Sequence, residues 1–211
     1  MSSKPNRIWR VGDTRCLVRQ DDMCESPREH NNVSVMWFFH NRHTQLGDEK
    51  DVKAEDFDGW EAMMEHLKVE EGALHVTPVF MYEHSGRSLS LGSFADLWDS
   101  GQLGFMWTTK EKLAETLGED ATEEDIRKAF VCELEEYNQW IEGNCWWFRT
   151  VKPPKGFVGE SPGMRIDYDE WEEVDSCGGF IGYDDKKSGL LEYAFGEEAD
   201  KAVKETVPSR W

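Results

Sequence analysis

The chain has 211 residues, with 43 Asp and Glu against 24 Lys and Arg, a formal net charge of −19. A surface of that sign repels phosphate backbones and anionic membranes at long range and attracts cationic ligands and basic protein grooves, so it argues against direct nucleic-acid or membrane partners. Ten Trp, 11 Phe and 5 Tyr supply the buried area that a disordered chain lacks, so a folded domain is expected despite the charge.

Residues 1–13 read as a flexible N-terminus with no apolar segment of the secretory type. No run approaches 18 apolar residues. These features predict a soluble, cytoplasmic protein. Residues 14–19 (TRCLVR) alternate weakly and predict an edge strand, whereas the continuous apolar run at 33–39 (VSVMWFF) predicts a buried central strand. Over residues 56–71, Trp60, Met63, Met64 and Leu67 recur at helical spacing, and Gly72 suits the turn that ends the helix. Residues 73–82 read as a strand in which Pro78 marks an edge or a bulge. Two more strands are expected at 87–91 and 103–107.

Thr109 is placed to cap a short helix that Gly118 closes. Thr122 and Asp125 form a box-like cap for a second, longer helix, whose buried stripe is Ile126, Ala129, Phe130, Leu134, Tyr137 and Ile141. Residues 145–151 predict a strand broken by Pro153-Pro154. Short strands are expected at 171–175 and 180–183, and a closing helix at 189–205, which Gly196 weakens. Strands and helices follow no repeating βα period. The predicted class is therefore α+β, with a mainly antiparallel sheet and two to four packed helices in a single domain over 14–211.

The five cysteines (Cys16, Cys24, Cys132, Cys145, Cys177) show no C-x-x-C spacing, and their odd number suits a reducing compartment. His40 and His43 stand three apart. With His84 they offer a metal-ligand set, and Asp99 and Asp175 could converge on it, although no established metal motif is present. His84, Asp99 and Ser100 are the alternative catalytic residues. A Ser–His–Asp hydrolase would need an exposed serine elbow, and no G-x-S-x-G occurs, so local turns are favoured for His84-Ser85-Gly86 and Asp99-Ser100-Gly101. Cys177 is flanked by acids, whereas a nucleophilic thiol wants cationic neighbours. No cofactor is expected.

Three stretches, Met81-Tyr82-Glu83-His84-Ser85-Gly86, Trp98-Asp99-Ser100-Gly101-Gln102-Leu103-Gly104-Phe105 and Val174-Asp175-Ser176-Cys177-Gly178-Gly179-Phe180, resemble an uncharacterised family encoded by bacteriophages, plasmids and integrative elements. The resemblance spans roughly residues 30–185. The His40-Asn41-Arg42-His43 and Tyr137-Asn138-Gln139-Trp140 segments fit the same pattern. An Asp is usual where Glu83 stands, an aromatic where Gly178 stands, and a Cys-Pro pair where Asp96-Leu97 stand. The resemblance implies a mobile genetic element and an accessory role in a host cell, and it carries no catalytic residue with it.

Acidic clusters are the remaining functional candidate. The partner-binding set is Glu123, Glu124, Asp125, Glu133, Glu135 and Glu136 on the long helix, with Asp167, Asp169, Glu170, Glu172 and Glu173 in the segment 167–175 (DYDEWEEVD). Duplex DNA carries one charge per ~1.7 Å of axis, so carboxylates every few ångströms on a rigid element suit a groove built for phosphate. The expected function is inhibition of a host nucleic-acid-handling defence complex, of the anti-CRISPR or antirestriction type. The expected partner is a basic surface of a host protein or ribonucleoprotein. The alternative is a metal-dependent hydrolase or nucleotide-modifying enzyme centred on His40, His43 and His84.

Overall fold

Alternation along β3 (Val35–Phe38) sets the architecture of the middle of the chain. Met36 and Phe38 enter one apolar cluster and Val35 and Trp37 another, so both faces of this strand are covered. In the computed structural model, which describes residues 5–96, 98–157 and 166–207, the chain divides into two compact units. One comprises residues 26–142, and the other the flanks 1–25 and 143–211. All strand pairings among the described residues are antiparallel, which bears out the α+β class.

The 26–142 unit holds a four-stranded sheet in the order β3-β6-β4-β5, with β4 at His75–Glu83, β5 at Arg87–Ser90 and β6 at Ser100–Thr108. Helix α1 (Gly59–Val69) buries Met63 and Leu67 against Trp37, Phe105 and Trp107 on one face. On the other face lie α2 (Lys110–Thr116) and α3 (Glu123–Ile141), which set Leu113, Ile126, Phe130, Leu134 and Tyr137 against Met36, Phe38, Val79 and Met106. The predicted caps form: Thr109 accepts from the Lys112 N–H, and Thr122 and Asp125 make a reciprocal capping box. Pro78 lies beyond the end of β5, where β4 has only β6 as a neighbour and no second donor is called for. Next to it, Val79 faces Gly104 while Phe80 faces Gln102, so Leu103 is the extra residue of a bulge. The bulge lets Leu103 join the α3 cluster while Phe105 faces α1.

The apolar run at 33–39 is buried as expected, yet β3 is an edge strand. Side chains close that edge. The Asp48 carboxylate accepts from the Met36 N–H (2.8 Å) while the Asp48 N–H donates to the Met36 carbonyl (2.7 Å), which imitates a neighbouring strand. The Glu133 carboxylate accepts from the N–H groups of Val33 (2.5 Å) and Ser34 (3.1 Å).

The flanking unit is built on a five-stranded sheet in the order β8-β7-β2-β1-β9. Its first strand, β1 (Arg7–Val11), lies in the stretch expected to be flexible; residues 1–4 fall outside the described set. Arg7 and Trp9 disguise a strand. The Arg7 guanidinium makes two bonds to the buried Asp185 carboxylate (2.7 and 2.6 Å) and lies 3.7 Å over the Trp146 ring, and Trp9 Nε1 donates to the same carboxylate. Strand β2 (Thr14–Gln20) is third of five and no edge. Its alternation looks weak because Arg15 and Arg19 occupy buried positions, stacked over Trp171 and Trp147. Beyond β7 (Cys145–Lys152), the two short strands expected at 171–183 are one, β8 (Glu172–Ile181), kept in pairing by two register shifts. The closing helix is also shorter: α4 (Leu190–Phe195) stops at Gly196, whose φ of +56° lies outside helical geometry. A 3-10 turn and β9 (Val203–Glu205) follow. Leu190 and Leu191 of α4 pack on Cys16, Val18, Phe148 and Phe180, while Tyr168 and Trp171 cover Ile8, Leu17 and Val151 on the opposite face.

Candidate functional site

Two of the three motifs meet at one end of the β4–β6 pair, where Tyr82 faces Ser100 and the Glu83 N–H donates to the Asp99 carbonyl (2.8 Å). The third motif lies in β8 of the other unit, and Asp175 with it. Leu97, within the Asp96-Leu97 departure, lies outside the described residues. At the end of β4 an open groove of about 250 Å3 is lined in part by His40, Arg42, Glu83, Asp99, Ser100 and Gln102. Glu83 is gripped from two sides, by His43 Nε2 (2.7 Å) and by Arg42 Nη2 (2.5 Å). The hydrogen bond from His43 and then the Arg42 charge hold the Glu83 carboxyl below its ordinary range.

This geometry does not make the alternative metal set of His40, His43 and His84. His40 Nδ1 accepts from the backbone N–H groups of Arg42 and His43 (both 3.2 Å), so that nitrogen serves its own turn. The His40 and His43 rings stack 4.9 Å apart at 18°. Burial, and then the neighbouring His43 charge, push the His40 pKa down and favour its neutral form. His84 stands apart from them, with Nδ1 paired to Asp99 Oδ2 (2.9 Å). Among the described residues, no three His, Cys, Asp or Glu side chains are gathered to hold a metal ion. The three-residue spacing of His40 and His43 makes a stacked turn instead of a chelate.

The hydrolase arrangement is half present. Asp99 orients the His84 imidazole as an acid–base pair requires, but the Ser100 hydroxyl donates to the Asp96 carbonyl, and the Asp96 carboxylate caps the Trp98 N–H (2.9 Å). Asp96, Trp98 and Ser100 are thus tied to one another by the local bonds that Asp and Ser favour in turns. The His84 side chain is 67% exposed, so water reaches the pair freely. In β8, Cys177 is half-buried and its thiol lies 3.6 Å from the Gly178 carbonyl.

The acidic segments separate into spent and unspent carboxylates. On α3, Glu123, Glu124, Asp125, Glu135 and Glu136 are exposed. Glu124 pairs with Lys128 (2.8 Å) and Asp125 with its cap, whereas Glu135 and Glu136 have no ion-pair partner among the described residues. Glu133 leaves the partner-binding set. Besides the two N–H groups at the edge of β3, it accepts from the Ser34 hydroxyl and from Arg28 (3.3 Å), and only 13% of its side chain is exposed. The helical period contained this signal. At about 100° per residue, Glu133 falls at the border of the stripe made by Ile126, Phe130 and Tyr137, while Glu135 and Glu136 fall on the far side. Arg28 completes the network by gripping Asp48 through two 2.8 Å bonds. Burial alone would lower the Arg28 pKa, but the Asp48 and Glu133 carboxylates raise it above its ordinary value.

In the other unit, Asp167, Asp169, Glu170, Glu172 and Glu173 are all exposed. Arg149 of β7 reaches Asp169 (2.6 Å) and Glu173 (3.7 Å), and the Asp167 side chain caps the Asp169 N–H. Val174 lies exposed among these acids, an apolar contact inside a charged rim. No helix among the described residues is long and apolar enough to cross a membrane. Comparison with known proteins returns no match among family models, curated proteins or solved structures.

Proposed function

We propose that this chain is a non-enzymatic acidic binding protein that occupies a basic, nucleic-acid-binding surface of a host protein or ribonucleoprotein complex. The context is that of an inhibitor carried by a mobile genetic element, with CRISPR or restriction defence as the target class. The observation that supports this reading is the outward face of α3. Five carboxylates are exposed on one capped helix of 19 residues, about 28 Å long; Glu124 pairs with Lys128 and Asp125 serves the cap, which leaves Glu123, Glu135 and Glu136 with Arg127 as the other exposed cation of the helix. Such a face offers negative charge at a spacing that a phosphate-binding groove accepts, and it guides approach more than it holds the complex together. Leu117, exposed just ahead of α3, adds an apolar contact beside the charge. The enzymatic alternative has less support, because its histidines do not converge and its serine is engaged in a turn.

The test is a double substitution, Glu135→Lys with Glu136→Lys, that leaves Glu133 in place. In a pull-down from a bacterial lysate, host proteins held by the unsubstituted chain at low salt and released at high salt should be lost from the variant. Capture that is equal in amount and in salt dependence overturns the proposal.

A further inference from the structure

Cys24 and Cys145 are 121 positions apart in sequence and meet in the flanking unit. The Asp21 N–H donates to the Cys145 carbonyl (2.8 Å), which ties the end of β2 to the start of β7. The Asp21 carboxylate then accepts from the Met23 N–H (3.1 Å) and folds the chain back, so that the Cys145 and Cys24 thiols share a hydrogen bond. Cys24 is half-buried and Cys145 buried, and both are in the thiol form. The other three cysteines stand in different surroundings. Cys16 is sealed against α4, Cys132 is exposed on α3, and Cys177 lies in β8 with its thiol 3.6 Å from the Gly178 carbonyl, much as the Cys24 thiol also lies 3.5 Å from the Glu25 carbonyl.

The geometry points to Cys24 and Cys145 as a disulfide-forming pair, a reversible covalent modification site within an otherwise thiol-containing chain. Thiols that share a hydrogen bond need a further approach of their sulfurs to reach the ~2.05 Å bond length. A small disulfide such as oxidised glutathione is the oxidant. The more accessible Cys24, as thiolate, attacks one of its sulfurs, which forms a mixed disulfide and releases one glutathione thiolate. Cys145 loses its proton to solvent, attacks the Cys24 sulfur and expels the second glutathione thiolate. One small disulfide is reduced to two thiols while two cysteines are oxidised to one disulfide. Burial, and then the hydrogen bond to Cys24, push the Cys145 thiol up to about 12, so the second displacement is the slower one near neutrality and quickens as pH rises.

The consequence is topological. The chain enters the 26–142 unit just after Cys24 and returns just before Cys145. A bond between them closes a covalent loop that contains that entire unit. Closure of so long a loop restricts the unfolded chain and stabilises the folded one, and reduction reverses it.

Full-length protein is equilibrated with oxidised and reduced glutathione in varied ratio, acid-quenched, alkylated and analysed by peptide mass. Expected are the loss of two hydrogens, a peptide pair joining Cys24 to Cys145, and reversal by dithiothreitol. The melting temperature of the oxidised form should be higher by roughly 4 °C or more. Cys24→Ser should instead gain only glutathione adducts, first at the exposed Cys132. The proposal is overturned if the folded protein stays fully alkylatable in excess oxidised glutathione, if the linked peptides contain other cysteines, or if Cys24→Ser loses two hydrogens as readily as the unsubstituted chain.

Discussion

Four donors converge on the Glu133 carboxylate: the N–H groups of Val33 and Ser34, the Ser34 hydroxyl and the Arg28 guanidinium. Each would otherwise face a largely dry environment at the open edge of β3, so the carboxylate serves as the missing neighbour of that strand. Hydrogen bonds to a charged group contribute about 1.5–3 kcal/mol each, and a buried partner left unpaired costs more than its bond was worth. Glu133→Gln keeps the shape and one acceptor but turns an amide N–H₂ toward donors, and should lower the unfolding free energy by about 2 kcal/mol. Glu133→Ala, which strands Arg28 as well, should lower it by about 3–5 kcal/mol. Glu135→Ala, two residues along the same helix and exposed, should stay within about 0.5 kcal/mol. Urea denaturation of the three variants checks this ordering, and equal effects at 133 and 135 would contradict the assignment of Glu133 to the fold.

At the scale of elements, the segments readable from the sequence were those whose cause is local. Helices α1 and α3 each carry a 3.6-residue apolar stripe, and α2 and α3 a capping residue that acts within its own turn. The parts that were not legible depend on residues far away. Strand β1 reads as a polar tail until Asp185, 178 positions on, pairs with Arg7. Strand β3 reads as central because its edge is closed by Asp48 and Glu133 instead of by a strand. Gly104 sits at such a non-local junction, between β3 and β4 beside the Leu103 bulge. A Cβ there would stand 2.0 Å from the Trp37 carbonyl oxygen and 3.0 Å from the Phe38 Cα, both of them backbone and unable to step aside. Gly104→Ala should therefore push β3 off β6 and cost about 3 kcal/mol in urea denaturation, with loss of near-ultraviolet signal from the Trp37–Trp107 edge-to-face pair. An unchanged midpoint would mean that β3 has room to shift.

Over the whole molecule, composition made the sign of the surface plain, but not which carboxylates are available. Asp185 and Glu133 are consumed by the fold and Asp169 and Glu173 pair with Arg149, while Glu135 and Glu136 are left to solvent. That division decides how salt should act on stability. Pairs such as Arg7–Asp185 at 2.6 Å and Arg28–Asp48 at 2.8 Å are largely shielded from solvent and change little with ionic strength. Exposed pairs such as Lys128–Glu124 and Lys201–Glu198 contribute little in any salt. Mutual repulsion among the excess carboxylates acts over longer distances, and it is the component that salt removes, as the screening length falls from about 30 Å at 10 mM to about 8 Å at 150 mM. The melting temperature should therefore rise with sodium chloride over that range. The rise should be smaller in the Glu135→Lys, Glu136→Lys variant, which carries four fewer units of net negative charge than the −19 of the unsubstituted chain. A melting temperature that falls with salt would mean that exposed ion pairs outweigh self-repulsion, and it would remove the reason to regard the acidity as a cost that an external cationic partner relieves.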